Sequence, residues 1–153
     1  YGDAIGTLND DSYINDVHKS DDNRWIHRPK MNWENAAKRH QAGTVEYKIF
    51  NGIKKMISLR KETPAFADRN NRDLIEVENP HLFVFSRFDP VYGKAKVLVI
   101  ANFDQNPQSL NLVNLKRMGF LQFDNTRELC SGELLAVKED VCVIPALAIY
   151  WIT

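Results

Sequence analysis

Apolar residues first fall into a regular pattern at Val45. Val45, Ile49, Ile53, Met56 and Ile57 recur at three- and four-residue intervals, with Arg60 on the same spacing. That period belongs to one face of an α-helix. Thr44 stands where an N-cap is needed, and Glu46 suits the positive end of the helix dipole. Tyr47 takes the place where a full capping box carries Glu or Gln. Pro64 stops the helix. Lys48, Lys54, Lys55 and Lys61 occupy other faces, and the apolar stripe is expected to pack on a core.

Past Pro64 the period changes to two. Strands are expected over 73–78, 81–88, 96–103, 109–113, 127–129, 134–144 and 146–152. Turn signals separate them at Asn79-Pro80, Asp89-Pro90, Tyr92-Gly93, Asn106-Pro107, Met118-Gly119 and Ser131-Gly132. The run from Val97 to Ala101 is apolar on both sides, as a central strand is. Short strands at regular spacing predict an antiparallel sandwich or barrel. Upstream, residues 1–34 are rich in Asp, Asn, Ser and Gly without a period and read as one long loop. A short helix is expected over 32–39. The chain therefore divides into 1–66, a loop and a helix that cannot close a core alone, and 67–153, a small all-β domain that can.

Composition adds exclusions. The 153 residues are 44% hydrophobic, enough for a core. Lys+Arg and Asp+Glu both number 20, so the electrostatic footprint of a nucleic-acid binder is missing. The charge is unevenly placed: residues 1–34 hold seven acids against four bases, and 35–62 hold seven bases against two acids. A basic helix beside an acidic loop implies mutual attraction or a partner surface. Cys130 and Cys142 have no metal-site spacing and read as reduced, partly buried thiols in strands. No apolar run is long enough to span a membrane, and no charged-then-apolar leader opens the chain. The opening on Tyr1 rather than Met is expected of a processed precursor or, as we read it, a piece of a longer protein.

The densest chemistry lies in residues 20–29: Ser20, Asp21, Asp22, Asn23, Arg24, Trp25, Ile26, His27, Arg28 and Pro29. Acids and arginines beside a tryptophan fit either a solvated charged connection or the rim of a sugar pocket. In such a rim, charged forks grip hydroxyls and a ring stacks on the pyranose. Asp10, Asp11, Asp16, Asp21 and Asp22 do not follow calcium-loop spacing, and His18, His27 and His40 lack metal spacing. Ser20, His27 and Asp22 have triad residue types but no strand–turn–helix elbow. No rigidly framed pair of carboxylates of the kind glycosidases use is apparent.

Two segments resemble a known family. Tyr1-Gly2-Asp3-Ala4-Ile5-Gly6-Thr7-Leu8-Asn9-Asp10-Asp11 and Lys19-Ser20-Asp21-Asp22-Asn23-Arg24-Trp25-Ile26-His27-Arg28-Pro29 resemble the end of the catalytic barrel of amylosucrases. These are enzymes of the α-amylase superfamily, glycoside hydrolase family 13. The helix with Gly52-Ile53, Met56-Ile57 and Arg60 is similar to the eighth barrel helix. The β part is similar to the superfamily's C-terminal sandwich, with Ala101-Asn102-Phe103 at an Asn-Phe strand end. The resemblance implies a mainly β fold class: a C-terminal antiparallel β-sandwich preceded by the last loop and helix of a (β/α)8 barrel.

The resemblance also implies roles. Arg24 would lie at the floor of a glucosyl pocket, where an always-charged planar fork holds a carboxylate and sugar oxygens together. Asp21, Asp22, Trp25 and His27 would support its loop, and Asp3 would be the structural Asp after strand eight. Ala4 stands where the family has Glu. The catalytic carboxylates belong to strands four, five and seven of such a barrel and have no counterpart in these residues. Arg24 should then be solvated, mobile or paired with a neighbouring acid. The implied parent is a cytoplasmic, bacterial-type enzyme without cofactor or metal that acts on sucrose and α-glucan. Two other readings stand beside it. One is a free-standing sandwich that binds carbohydrate through exposed coplanar aromatics, with Phe83, Phe85, Phe88, Tyr92, Tyr150 and Trp151 as candidates. The other is an interaction module whose stripe of Val45, Ile49, Ile53 and Ile57 meets its own barrel or a second subunit in a homodimer.

Overall fold

The computed structural model describes residues 2–67, 70–89, 96–120, 123 and 125–153. The turn expected at Tyr92-Gly93, and Tyr92 itself, lie outside them. Contacts divide the chain into two compact units, Tyr1–Ile57 and Ser58–Thr153.

In the first unit the expected long loop is a chain of short helical turns. Three 3-10 turns span Asp3–Ile5, Asp11–Asn15 and Asn23–His27, and helix α1 spans Trp33–Ala37. Side chains nucleate all but the first. Asp10 accepts from the Ser12 N–H at 2.9 Å, Asp22 from the Arg24 N–H at 3.0 Å, and Asn32 from the Asn35 N–H at 3.0 Å. Asp and Asn favour such local bonds over long regular elements, which is why the segment shows no period. The first turn is bracketed by Gly2 and Gly6, both left-handed (φ 85° and 66°). A Cβ on Gly2 would fall 2.4 Å from Thr7 Oγ1, so only glycine fits there.

The expected long helix is α2, Val45–Glu62. Thr44 Oγ1 accepts from the Tyr47 N–H at 3.2 Å, which is the N-cap bond read from the sequence. The stripe departs from expectation. No residue of α2 is buried, and Val45 and Ile57 are 65% and 49% exposed. Ile49 and Met56 are half-buried, with Ile49 against Gly6; periodicity declares an apolar face, but only packing decides how much of it is covered.

The second unit is a sandwich of two antiparallel sheets. Strands β1 (Arg72–Ile75), β2 (Leu82–Phe88), β3 (Lys96–Asn102) and β7 (Ile149–Ile152) form one, in the order β1-β2-β3-β7. Strands β4 (Gln108–Asn111), β5 (Val137–Lys138) and β6 (Val141–Ile144) form the other, in the order β4-β6-β5. Between them lie Val84, Leu98, Ile100 and Ile152 from the first sheet and Leu110, Cys142 and Ile144 from the second. Strand β3 is buried on both faces, as its apolar run predicts. A 3-10 turn at Pro64–Phe66 packs on the same sheet, its Phe66 ring 4.6 Å from that of Trp151 on β7.

Several expected strands are shorter. The run 134–144 folds back on itself. Glu139 and Asp140 take φ of 50° and 62° and make a two-residue turn between β5 and β6. Two successive left-handed residues match the twist of a hairpin. The strand expected through 113 ends at Asn111, whose side chain accepts from the Val113 N–H at 2.9 Å and opens helix α3, Val113–Arg117. Residues 127–129 contribute a single bridge, Arg127 to Leu134. Cys142 is buried in β6, and burial pushes its thiol up to about 11. Cys130 is half-buried in a turn rather than a strand.

Candidate functional site

The third 3-10 turn, Asn23–His27, carries the chemistry of residues 20–29. Asp22 begins it. Its Oδ1 accepts from the Arg24 backbone N–H at 3.0 Å and from Arg24 Nε at 2.7 Å, and its Oδ2 accepts from Arg24 Nη2 at 2.8 Å. The carboxylate therefore holds Arg24 side-on by one edge of the guanidinium. The Arg24 side chain is 71% exposed, and its Nη1 has no partner among the described residues. Of the three states open to Arg24 in the sequence reading, pairing with a neighbouring acid is the one observed. The side-chain bond from Arg24, then its backbone N–H, brings the Asp22 carboxyl down to about 2.

The neighbours are placed around this pair. The Asp10 N–H donates to the Ile26 carbonyl at 3.0 Å, and His27 Nδ1 sits 3.1 Å from Asn9 Oδ1. These bonds tie the turn to the segment that follows the glycine-bracketed turn. Half-buried Trp25 receives Lys19 Nζ at 5.3 Å from its ring, and Lys19 also pairs with Asp16 at 2.8 Å. Asp21 is exposed, as is Asp3 in the first turn beside Ala4. Among the described residues no group of three or more His, Cys, Asp or Glu is placed to hold a metal ion.

The pairing has a sharp signature. The Asp22 carboxyl is lowered in the folded chain, so its bond to Arg24 is complete above the ordinary carboxyl range and is lost as pH falls through about 2. The Arg24 Nε–H resonance should hold its shift from neutral pH to about pH 3 and move only below that. Asp22→Asn should show the moved resonance already at pH 7. A wild-type resonance titrating near pH 4 would refute the pairing.

The second unit offers two surface features, of which the sequence reading named only Phe83 and Phe85. A cleft of about 630 Å³ has an apolar floor with Ile75 and Leu115 and a rim with Glu76, Glu78, Asn111 and Asn114. Leu74, Phe83 and Phe85 form an apolar patch beside Arg72. Phe83 and Phe85 are 5.6 Å apart but inclined by 51°, unlike the coplanar platform a sugar-stacking sheet face needs. Tyr150 and Trp151 are buried and Phe88 is half-buried.

No family model matches the chain. Solved structures do. The pullulanase SAP of Group B Streptococcus superposes with a TM-score of 0.57 at 16% identity, over 84% of this chain and 18% of that one. Eubacterium rectale Amy13B gives a TM-score of 0.49 at 20% identity, over 70% of this chain and 20% of that one. An Anoxybacillus alpha-amylase gives 0.47 at 19% identity, over 69% of this chain and 22% of that one. The chain thus spans about a fifth of the length of each. Over the matched residues the chain shares the fold of part of a pullulanase.

Proposed function

We propose that this chain is the C-terminal part of an α-amylase-family enzyme that acts on α-glucosides. More narrowly, we propose an amylosucrase-like transglucosidase that moves glucose from sucrose to an α-glucan or to water. In this reading residues 1–66 close the catalytic (β/α)8 barrel and residues 67–153 form its C-terminal sandwich. The observation that carries the proposal is Arg24, a fork held by one edge and open at the other, within a loop of amylosucrase-like sequence. Such a fork can meet a carboxylate and sugar hydroxyls together. The exposed Val45, Ile53 and Ile57 of α2 support the proposal, because a barrel helix turns its apolar face to the barrel strands. So does the fold shared with part of a pullulanase.

The chemistry would run on the preceding strands. An aspartate attacks the anomeric carbon while a glutamate protonates the departing fructosyl oxygen. Water or a glucan hydroxyl, deprotonated by the same glutamate, then releases the glucosyl unit with retention. Arg24 would bind the glucosyl ring throughout. The 153-residue chain alone should release no fructose from sucrose. The full-length protein should release it, and Arg24→Ala there should lower kcat/KM by about a hundredfold. Fructose release by the chain alone would sink this reading, as would an unchanged kcat/KM in the full-length Arg24→Ala variant.

A further inference from the structure

We infer that Asp22 is a positioning residue for Arg24, holding the guanidinium by its Nε–Nη2 edge so that the Nη1 end is presented to a ligand. The inference rests on the proposed role of Arg24 and adds to it a residue that sets the geometry. Three bonds from one carboxylate reach Arg24: two to its side chain, at 2.7 and 2.8 Å, and one to its backbone N–H, at 3.0 Å. The backbone bond fixes where the side chain starts, and the side-chain bonds fix where it ends. A free arginine carries much rotamer entropy, which such a clamp removes before any ligand arrives. The occupied edge is one of two that can make paired bonds. The other, made of Nη1 and the outward hydrogen of Nη2, is the one left to meet a carboxylate or vicinal hydroxyls.

The geometry also gives the cap and the charge of the carboxylate separable parts. An asparagine at 22 could still accept the Arg24 backbone N–H and begin the 3-10 turn, because amides cap as well as carboxylates do. Only the charged side-on grip would be lost. Asp22→Asn therefore separates capping from positioning.

The test is a double-mutant cycle in the full-length protein, with Asp22→Asn, Arg24→Ala and the double variant assayed on sucrose. Melting temperatures identify any variant that fails to fold. If Asp22 acts through Arg24, Asp22→Asn should lower kcat/KM by about tenfold, as a misdirected binding group does. The double variant should then be no worse than Arg24→Ala alone. If Arg24→Ala impairs turnover but Asp22→Asn does not, the positioning role is overturned and the reading of Arg24 survives. An equal loss from Asp22→Asn in both backgrounds also overturns it, because Asp22 would then act independently. If Arg24→Ala itself changes nothing, the proposed function fails and the inference goes with it. Asp22→Glu is a second check. It keeps the charge on a longer arm and should retain part of the kcat/KM that Asp22→Asn loses.

Discussion

Glu128→Ala should lower the unfolding free energy of the sandwich by about 4 kcal/mol, in line with removing one member of a buried charged network. Glu128 is 1% exposed. Its Oε1 accepts from the Cys130 N–H at 2.6 Å and the Trp151 N–H at 3.1 Å, and its Oε2 accepts from the Ser131 N–H. Strand β7 is the last of its sheet, so Trp151 turns its outer N–H and carbonyl away from β3. The Glu128 carboxylate takes that N–H, and the Leu129 N–H donates to that carbonyl at 2.9 Å. One residue thus closes a turn and covers a sheet edge. Without it the Trp151 N–H is buried and unpaired. Glu128→Gln keeps the volume but sets an amide N–H against a backbone N–H, and should cost about 3 kcal/mol.

Acid tests the same group. Burial pushes the Glu128 carboxyl up, and the N–H bonds from Ser131, Cys130 and Trp151 pull it down further, so it sits below the ordinary value of 4.5. A group lowered on folding stabilises the fold above its unfolded value. That stability is lost as pH falls through the folded one. The gap between wild type and Glu128→Gln should therefore be full at pH 6 and narrow below about pH 4.5. Denaturant unfolding at several pH values measures it. A gap constant down to pH 2.5 would show that the charge contributes nothing.

Asn102→Ala should cost about 3 kcal/mol, from a buried amide whose partners cannot all reach water. Asn102 ends β3, and its Nδ2 donates toward the carbonyls of Asn106 (2.9 Å), Ile144 (3.2 Å) and Pro145 (2.9 Å). Its Oδ1 accepts from the Asp104 N–H at 2.8 Å. The carbonyl of Ile144 ends β6, so one amide ties the two sheets at one end of the sandwich. Asn102→Asp should cost more than Ala at pH 7, because it would aim a carboxylate at three carbonyl oxygens. Thermal or denaturant melts would decide. Equal stability of wild type and Asn102→Ala, or an aspartate milder than alanine, would remove this amide from the list of structural ties.

These two residues show where sequence reading stopped. Asn102 was visible as part of an Asn-Phe strand end, but nothing in its neighbours says that it reaches residues more than forty positions away. Glu128 lies in a short segment expected as a strand, where a carboxylate reads as solvent-facing. Its burial follows from Trp151, 23 residues downstream. At the candidate site the residue types were legible, and a neighbouring acid was one foreseen partner of Arg24. Which of Asp21 and Asp22 takes that place depends on the turn. Asp22 begins the turn and so meets both the backbone and the side chain of Arg24, while Asp21 points into solvent.

The sequence by itself determined the elements whose signals are local. Thr44 and Pro64 bound α2 through a cap bond and a missing N–H. The alternation in β2 and the unbroken apolar run of β3 set one strand half-buried and the next buried on both faces. Tertiary structure alone decided whether an apolar face is covered and which polar groups are sealed in. Periodicity gives the stripe of Val45, Ile49, Ile53 and Ile57 a direction, but burial requires an opposing surface: Ile49 lies against Gly6 and is half-buried, while Val45, Ile53 and Ile57 stay exposed. The two left-handed residues Glu139 and Asp140 carry no glycine to announce them. They turn because Val137 must pair with Cys142, a long-range demand that outweighs the strain of one tight corner.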